Sequence, residues 1–271
     1  MVREYDLVES IDIMVKSITD ILHDNCLSVY LYGSVCEDDF RLGWSDIDIL
    51  CLTKDSVCQE DALRLVDLRK SLSNMYPDNQ YFSLFEGCIL SLNSFINKTE
   101  DTCVYWGSSK SRITTRYDFN SLSMTQLIKS SKLLYGKDIL HIFTLPSYDE
   151  LRNDVINHYE TIRKYAKSTS RSIHSYGWLL DISRCIYTIQ TGKIISKTRA
   201  GEWALENSLC PVREALEKAV EVRMNPNKYI TDKEILDYSE GLGEHIQKYA
   251  DVLEETIKVR VNSLKDRLVE I

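Results

Sequence analysis

No apolar run in the 271 residues approaches the roughly 20 residues that a membrane-spanning helix needs. The opening MVREYDLVESIDIMVKSITD carries charge throughout and has no apolar core of the kind that marks a signal peptide. Those two absences point to a cytoplasmic chain without a membrane partner. The eight cysteines, at 26, 36, 51, 58, 88, 103, 185 and 210, form no CxxC pair and have no histidine at ligand spacing. That pattern argues against zinc and against a disulfide framework. Reduced thiols behaving as small apolar side chains are expected instead. Internal repeats and low-complexity tracts are also missing.

Clustered positive charge is absent where a nucleic acid would need it. The net charge is −8; up to Ser147 the chain carries 14 basic and 21 acidic side chains, a net of −7, and beyond it 19 and 20, a net of −1. An acidic first half is the wrong sign for displacing counterions from phosphates, so no nucleic-acid partner is expected. It would suit a cationic small molecule or a divalent metal, although charge alone leaves a solvated surface as the leading reading.

What is present is ordinary globular material, 44% hydrophobic and 27% charged, in a length that allows one large domain or two modest ones. The first 23 residues space Leu7, Ile11, Met14, Val15, Ile18 and Ile21–Leu22 at helical intervals. CLSVYLYG then reads as a strand closed by Gly33, SDIDILCL as a second and YFSLFEGCILSL as a third. Asp61 to Met75 reads as a helix with Leu63, Leu65, Val66, Leu68 and Leu72 as its apolar set, and Ser123 to Leu134 as another. Past Pro146 strand signals almost vanish. Residues 148–166, 175–191, 197–207, 212–223 and 232–268 all carry helical periodicity. The expected fold class is therefore α+β, with a first domain over 1–146 and an all-α domain over 147–271.

One stretch stands out, LYGSVCEDDFRLGWSDIDILCL, residues 31–52. It plants Asp46 and Asp48 on an apolar strand. Two residues apart in extended chain, they project from the same face while Ile47 and Ile49 take the other. Like charges that close repel, and burial without a partner is expensive, so something must neutralise them. Gly33 permits a tight turn and close approach of a ligand, and Ser34 with the following amides can donate to phosphate oxygens. The paired carboxylates are hard ligands for Mg²⁺, which completes its octahedron with water and substrate phosphates. A metal-bound nucleoside triphosphate answers all of these features.

The order strand, Gly-Ser, loop of about ten, Asp-apolar-Asp resembles the signature of the polymerase-β-like nucleotidyltransferases. A second stretch, SRCIYTIQTGKIISKTRAGEWALENSLCP, resembles the helical domain of the aminoglycoside adenylyltransferases that modify streptomycin and spectinomycin. Arg184, Thr191-Gly192, Lys197 and Trp203 fall on its matching positions, with thirteen residues from Arg184 to Lys197. The resemblance implies a nucleotidyltransferase domain built on a mixed sheet with helices, then a helical domain contributing nucleotide and acceptor contacts. It implies Mg-dependent transfer of AMP from ATP to a hydroxyl of an aminoglycoside or aminocyclitol, with release of pyrophosphate.

Residue by residue, the resemblance makes Asp46 and Asp48 the Mg²⁺ ligands and Gly33, Ser34, Ser45, Arg184 and Lys197 the nucleotide contacts. It makes Glu86 the general base, with a third metal ligand as the alternative. Trp106 is either a ring that stacks on the acceptor or an aromatic packed at the domain edge. Trp178 and Asp181 either meet the acceptor or, for Asp181, form a surface ion pair with Arg184 three residues on. Departures fall on the acceptor side: Ser170 and His174 stand where that family carries acids, and Arg223 where it carries a tyrosine near the adenine. They keep open another small-molecule or protein hydroxyl as acceptor, or a nucleotide-binding protein without turnover.

Overall fold

The computed structural model describes residues 6–108 and 110–269, with side chains described up to residue 259. Among these residues the chain divides into two compact units. One runs to Phe40 and resumes over Ser45–Leu145; the other joins Arg41–Trp44 to the chain from Pro146 onward.

The first unit opens on α1 (Leu7–Leu22), started by the Asp6 carboxylate accepting from Glu9 N at 2.7 Å. Its expected apolar stripe, Ile11, Met14, Val15, Ile18, Ile21 and Leu22, is buried. Next come β1 (Cys26–Tyr32), β2 (Ile47–Thr53), α2 (Gln59–Met75), β3 (Phe85–Ser91), α3 (Leu92–Asn97), β4 (Cys103–Trp106), β5 (Ser111–Thr114), α4 (Ser121–Ser130) and β6 (Lys132–Gly136). They form a six-stranded mixed sheet in the order β5-β4-β3-β2-β1-β6. Only β2 and β3 run parallel, which the crossover helix α2 makes possible; the other neighbours are antiparallel.

Period-two alternation sends Ile47, Ile49 and Cys51 to one face, against α1 and α2 with Leu65, Leu68 and Phe85. It sends Leu50 and Leu52 to the other, with Tyr30, Tyr32, Cys88, Phe95 and Leu127. One expectation for α2 fails. Leu63 is 52% exposed, while Val66 packs partly buried against the core and Ala62 and Arg69 are buried on the helix. The helix expected through Leu134 stops at Ser130, because Lys132–Leu133 and Tyr135–Gly136 pair with β1 as an edge strand.

The second unit is helical: α5 (Tyr148–Tyr165), α6 (Gly177–Thr191), α7 (Lys197–Glu206), α8 (Arg213–Met224), α9 (Pro226–Tyr229), α10 (Lys233–Glu240) and α11 (Gly243–Val269). Ser147 and Glu150 close a reciprocal capping box at the start of α5. Buried α6 residues Leu179, Leu180, Ile182, Ile186 and Ile189 form the centre of its core. The run expected as one helix over 232–268 breaks at Gly241-Leu242, where Gly243 lies so close to the Lys167 carbonyl that a Cβ would sit 2.1 Å from its oxygen. All eight cysteines are free thiols. No helix among the described residues is long and apolar enough to cross a membrane.

Candidate functional site

β1 ends at Tyr32, and Gly33 turns the chain with φ +70°, in the left-handed region that disfavours side chains. The amides of Cys36 and Glu37 donate to the Gly33 carbonyl at 3.0 and 3.1 Å and fix the turn. The Asp48 carboxylate occupies the space beside it: a Cβ on Gly33 would lie 2.2 Å from Asp48 Oδ2. The Ser34 hydroxyl donates to the Asp46 carbonyl at 3.4 Å, tying the Gly-Ser turn to the start of the Asp-Ile-Asp strand. Ser45 is buried at its base.

Strand register does the rest. Asp48 stands opposite Tyr32 on β1 and opposite Glu86 on β3. Paired residues on neighbouring strands share a face, so Asp48 and Glu86 project from the same side of the sheet. Burial holds the Tyr32 hydroxyl well above the usual tyrosine pKa, and its hydrogen-bond partner Tyr117 and the charge of Asp48 add to the rise. One oxygen of Glu86, Oε1, is buried without a hydrogen-bond partner. An orphaned carboxylate oxygen is disfavoured unless a ligand group arrives to meet it.

Just past Glu86, Gly87 adopts φ +133°, and a Cβ there would lie 1.8 Å from the Ile49 carbonyl oxygen. No residue other than glycine fits. Just before Glu86, the Phe85 carbonyl accepts from Nη1 of Arg69 at 2.5 Å. Arg69 is 8% exposed on α2, and its other donors reach the Gly107 carbonyl at 2.9 Å and the Ser111 hydroxyl at 2.9 and 3.2 Å. Burial lowers its pKa, opposed first by the charge of Glu86 and then by that of Asp46. A guanidinium remains charged even so.

The residues present fit a divalent cation of the Mg²⁺ type. Asp46 and Asp48 offer two hard carboxylates, one of them seated in a glycine cradle, and Mg²⁺ asks a protein for no more than one or two. Among the described residues no group of three or more His, Cys, Asp or Glu is arranged to hold a metal.

The sequence-derived residues of the second unit also gather. Lys197, the first residue of α7, pairs with Asp181 on α6 at 3.0 Å to Oδ1 and 3.3 Å to Oδ2. His158 on α5 approaches the same carboxylate at 3.8 Å and stacks its ring on Trp178 at 6.2 Å between centroids. In place of the Arg184 ion pair that is one alternative for Asp181, Lys197 is its close partner, because α7 brings it onto that face of α6. Burial would raise the Asp181 pKa; Lys197 above all, then His158 and Arg184, bring it below the ordinary carboxylate value. Burial lowers the His158 pKa, against the pull of Asp181.

Trp106 takes its packed alternative, and His174 is likewise engaged in packing. Trp106 is 1% exposed, its indole N–H donates to the Leu65 carbonyl at 2.9 Å and its ring lies under Arg69, so its faces belong to the core. His174 packs its ring against Trp44 at 5.4 Å, and buried Arg223 lies over the same indole while donating to Thr198 Oγ1 at 3.1 Å. Arg69 and His158 escaped the sequence reading. For Arg69 a signal existed: it stands four residues after Leu65 and three before Leu72, on the apolar stripe of α2.

Residues 15–99 match the nucleotidyltransferase domain family, and residues 143–263 match the aminoglycoside adenylyltransferase C-terminal domain. Spectinomycin 9-adenylyltransferases of Staphylococcus aureus, strains Mu50 and N315 among them, are each 22% identical over 200 residues, 70% of this chain and 75% of theirs. The crystal structure of spectinomycin adenyltransferase AAD(9) from Enterococcus faecialis, solved with ATP and spectinomycin, superposes with a TM-score of 0.66. That match covers 92% of this chain and 100% of the other at 19% identity, and it shows a shared fold.

Proposed function

We propose that this chain, a nucleotidyltransferase resembling the aminoglycoside adenylyltransferases, transfers AMP from ATP to a hydroxyl of a cationic aminoglycoside or aminocyclitol. The observation that carries this reading is the register of Asp48 against Glu86, with a buried Glu86 oxygen that has no partner. In the reaction the acceptor oxygen bonds to the α-phosphorus, the bond from that phosphorus to the bridging oxygen breaks, and pyrophosphate leaves. Glu86 takes the proton of the attacking hydroxyl at its unpartnered oxygen. Asp46 and Asp48 would hold Mg²⁺, which would offset charge on the triphosphate and the leaving pyrophosphate. Ser34 and Ser45 orient phosphate oxygens. Arg184 and Lys197 supply cationic donors of complementary shape, a planar fork and a point charge. Asp181 and Trp178 offer a carboxylate and an aromatic face to a positively charged acceptor.

The test is pyrophosphate release from labelled ATP and Mg²⁺ with a panel including spectinomycin and streptomycin. Turnover with a drug, lost in Asp48→Ala and Glu86→Ala, is expected. Release with no member of the panel, alongside tight nucleotide binding, would overturn the acceptor assignment. The same transfer to a different small-molecule or protein hydroxyl would then take its place. The burial of Trp106 and the stacking of His174 on Trp44 favour that second reading.

A further inference from the structure

Glu86 is gripped from both sides along β3. On its C-terminal side Gly87 lets the Ile49 carbonyl of the parallel neighbour approach where no side chain fits. On its N-terminal side lies a place where the sheet frays. β4 pairs with β3 only at Gly87, Cys88 and Ile89, so the Phe85 and Gly107 carbonyls lie beyond the paired residues of this ladder. Arg69 takes both with separate arms of one guanidinium, and its remaining donors reach Ser111 at the first residue of β5.

Every direct hydrogen-bond partner of this buried cation is neutral: two carbonyls and a hydroxyl, with the Trp106 ring under its plane. A buried guanidinium without a paired carboxylate is disfavoured unless acids nearby compensate at longer range. The nearby acids are Glu86 and Asp46, and their charges act on Arg69. The repulsion built into the Asp-Ile-Asp strand therefore has a permanent counter-charge inside the protein, present before any metal or nucleotide arrives.

We propose that Arg69 is the positioning residue for Glu86, fixing the backbone before it and placing a buried positive charge beside the acidic site. The inference rests on Glu86 being the base of the proposed transfer. Its geometric half, an ordered Phe85–Gly87 backbone held by the guanidinium, does not depend on turnover.

The experiment compares Arg69→Met and Arg69→Lys with Leu72→Ala, a buried substitution on the same helix that does not touch the site. In Arg69→Met the amides of Phe85, Glu86 and Gly87 should lose protection from hydrogen exchange, while in Leu72→Ala they should keep it. In turnover, Arg69→Met should lower kcat about a hundredfold, the size of loss that follows misplacement of a reacting group by about 1 Å. KM for ATP should stay within about twofold. Arg69→Lys, which keeps the charge and loses the fork, should fall between, and it serves the same comparison if Arg69→Met does not fold. Exogenous guanidinium should restore part of kcat to Arg69→Ala.

Unchanged exchange at Phe85–Gly87 in both Arg69→Met and Arg69→Lys overturns the proposal. So does a kcat loss no larger than that of Leu72→Ala. If the unmodified protein shows no turnover, the functional reading fails and the exchange measurement alone judges Arg69.

Discussion

The two units hold their charged groups by different means. In the first, the main chain sets the position of each acid: a left-handed glycine beside Asp48, a glycine beyond Glu86, a fixed register between them and a buried guanidinium on the backbone. In the second, side chains hold side chains. Lys197 rests on Asp181, itself approached by a histidine, and the Lys197 and His158 side chains are 31% and 35% exposed. The strands that carry the acids cannot shift without breaking the sheet, which leaves each carboxylate only its own short side chain to move, whereas a lysine on a long flexible stem can exchange its carboxylate for a phosphate.

The comparison breaks first at the glycines. Gly33→Ala would place a methyl 2.2 Å from Asp48 Oδ2 at a backbone angle that disfavours it, and Gly87→Ala would drive one into the Ile49 carbonyl. Each is expected to lower pyrophosphate release by about a hundredfold or more. Gly87→Ala should also destabilise the sheet, since its obstacle is backbone, whereas the Asp48 side chain can swing away from Gly33. A thermal melt beside the rate separates the two. Equal rates in Gly33→Ala and the unmodified protein would show that the Asp48 position is not fixed by the turn.

A smaller effect is expected at Lys197. Lys197→Met should raise KM for ATP about tenfold, near the lower end of what one charge-assisted hydrogen bond contributes. A double-mutant cycle of Lys197→Met with Asp181→Asn, read by denaturant unfolding, should give a stability coupling of about 1 kcal/mol, between an exposed and a buried pair. A coupling near zero would mean that the pair is incidental to the fold.

How far the sequence reveals this depends on which kind of information places a residue. The Gly-Ser turn, the Asp-Ile-Asp strand and the Glu86 strand are legible because each is local, a run of six to eight residues with its own alternation. The three central strands are all legible, although the third begins only at Phe85, after a 3-10 turn over Phe82–Leu84. β4, β5 and β6 are not, being four or five residues long and, in β5 and β6, half-exposed or exposed throughout. Edge strands like these are held by their partners rather than by a pattern of their own. The break between α10 and α11 was hidden in a helical run, although its two glycines were visible. Arg69 goes unmarked within DALRLVDLRKS, because its partners lie 16, 38 and 42 residues away. The pairing of Lys197 with Asp181 needed the packing of α7 on α6, which no spacing along one helix could supply.

The smallest effect expected is on acid stability, and it belongs to the helical unit. His158 and His174 both have pKa values lowered by burial, with the charge of Lys197 acting in the same direction on each. Between the ordinary value near 6.5 and the lowered folded values, the unfolded chain binds protons that the folded chain refuses. Stability should therefore be level above about pH 6.5 and decline as the pH falls below it. Asp181 acts in a separate, lower window: its pKa is depressed from 3.8, so its contribution is held above that value and lost as pH falls through the folded one. Melting temperatures between pH 7.5 and 5.5 should show the first decline, and His158→Asn with His174→Asn should flatten it. If the doubly substituted protein keeps the same slope, the acid-sensitive groups lie elsewhere, and the second unit is no more tunable by pH than the sheet that carries the acids.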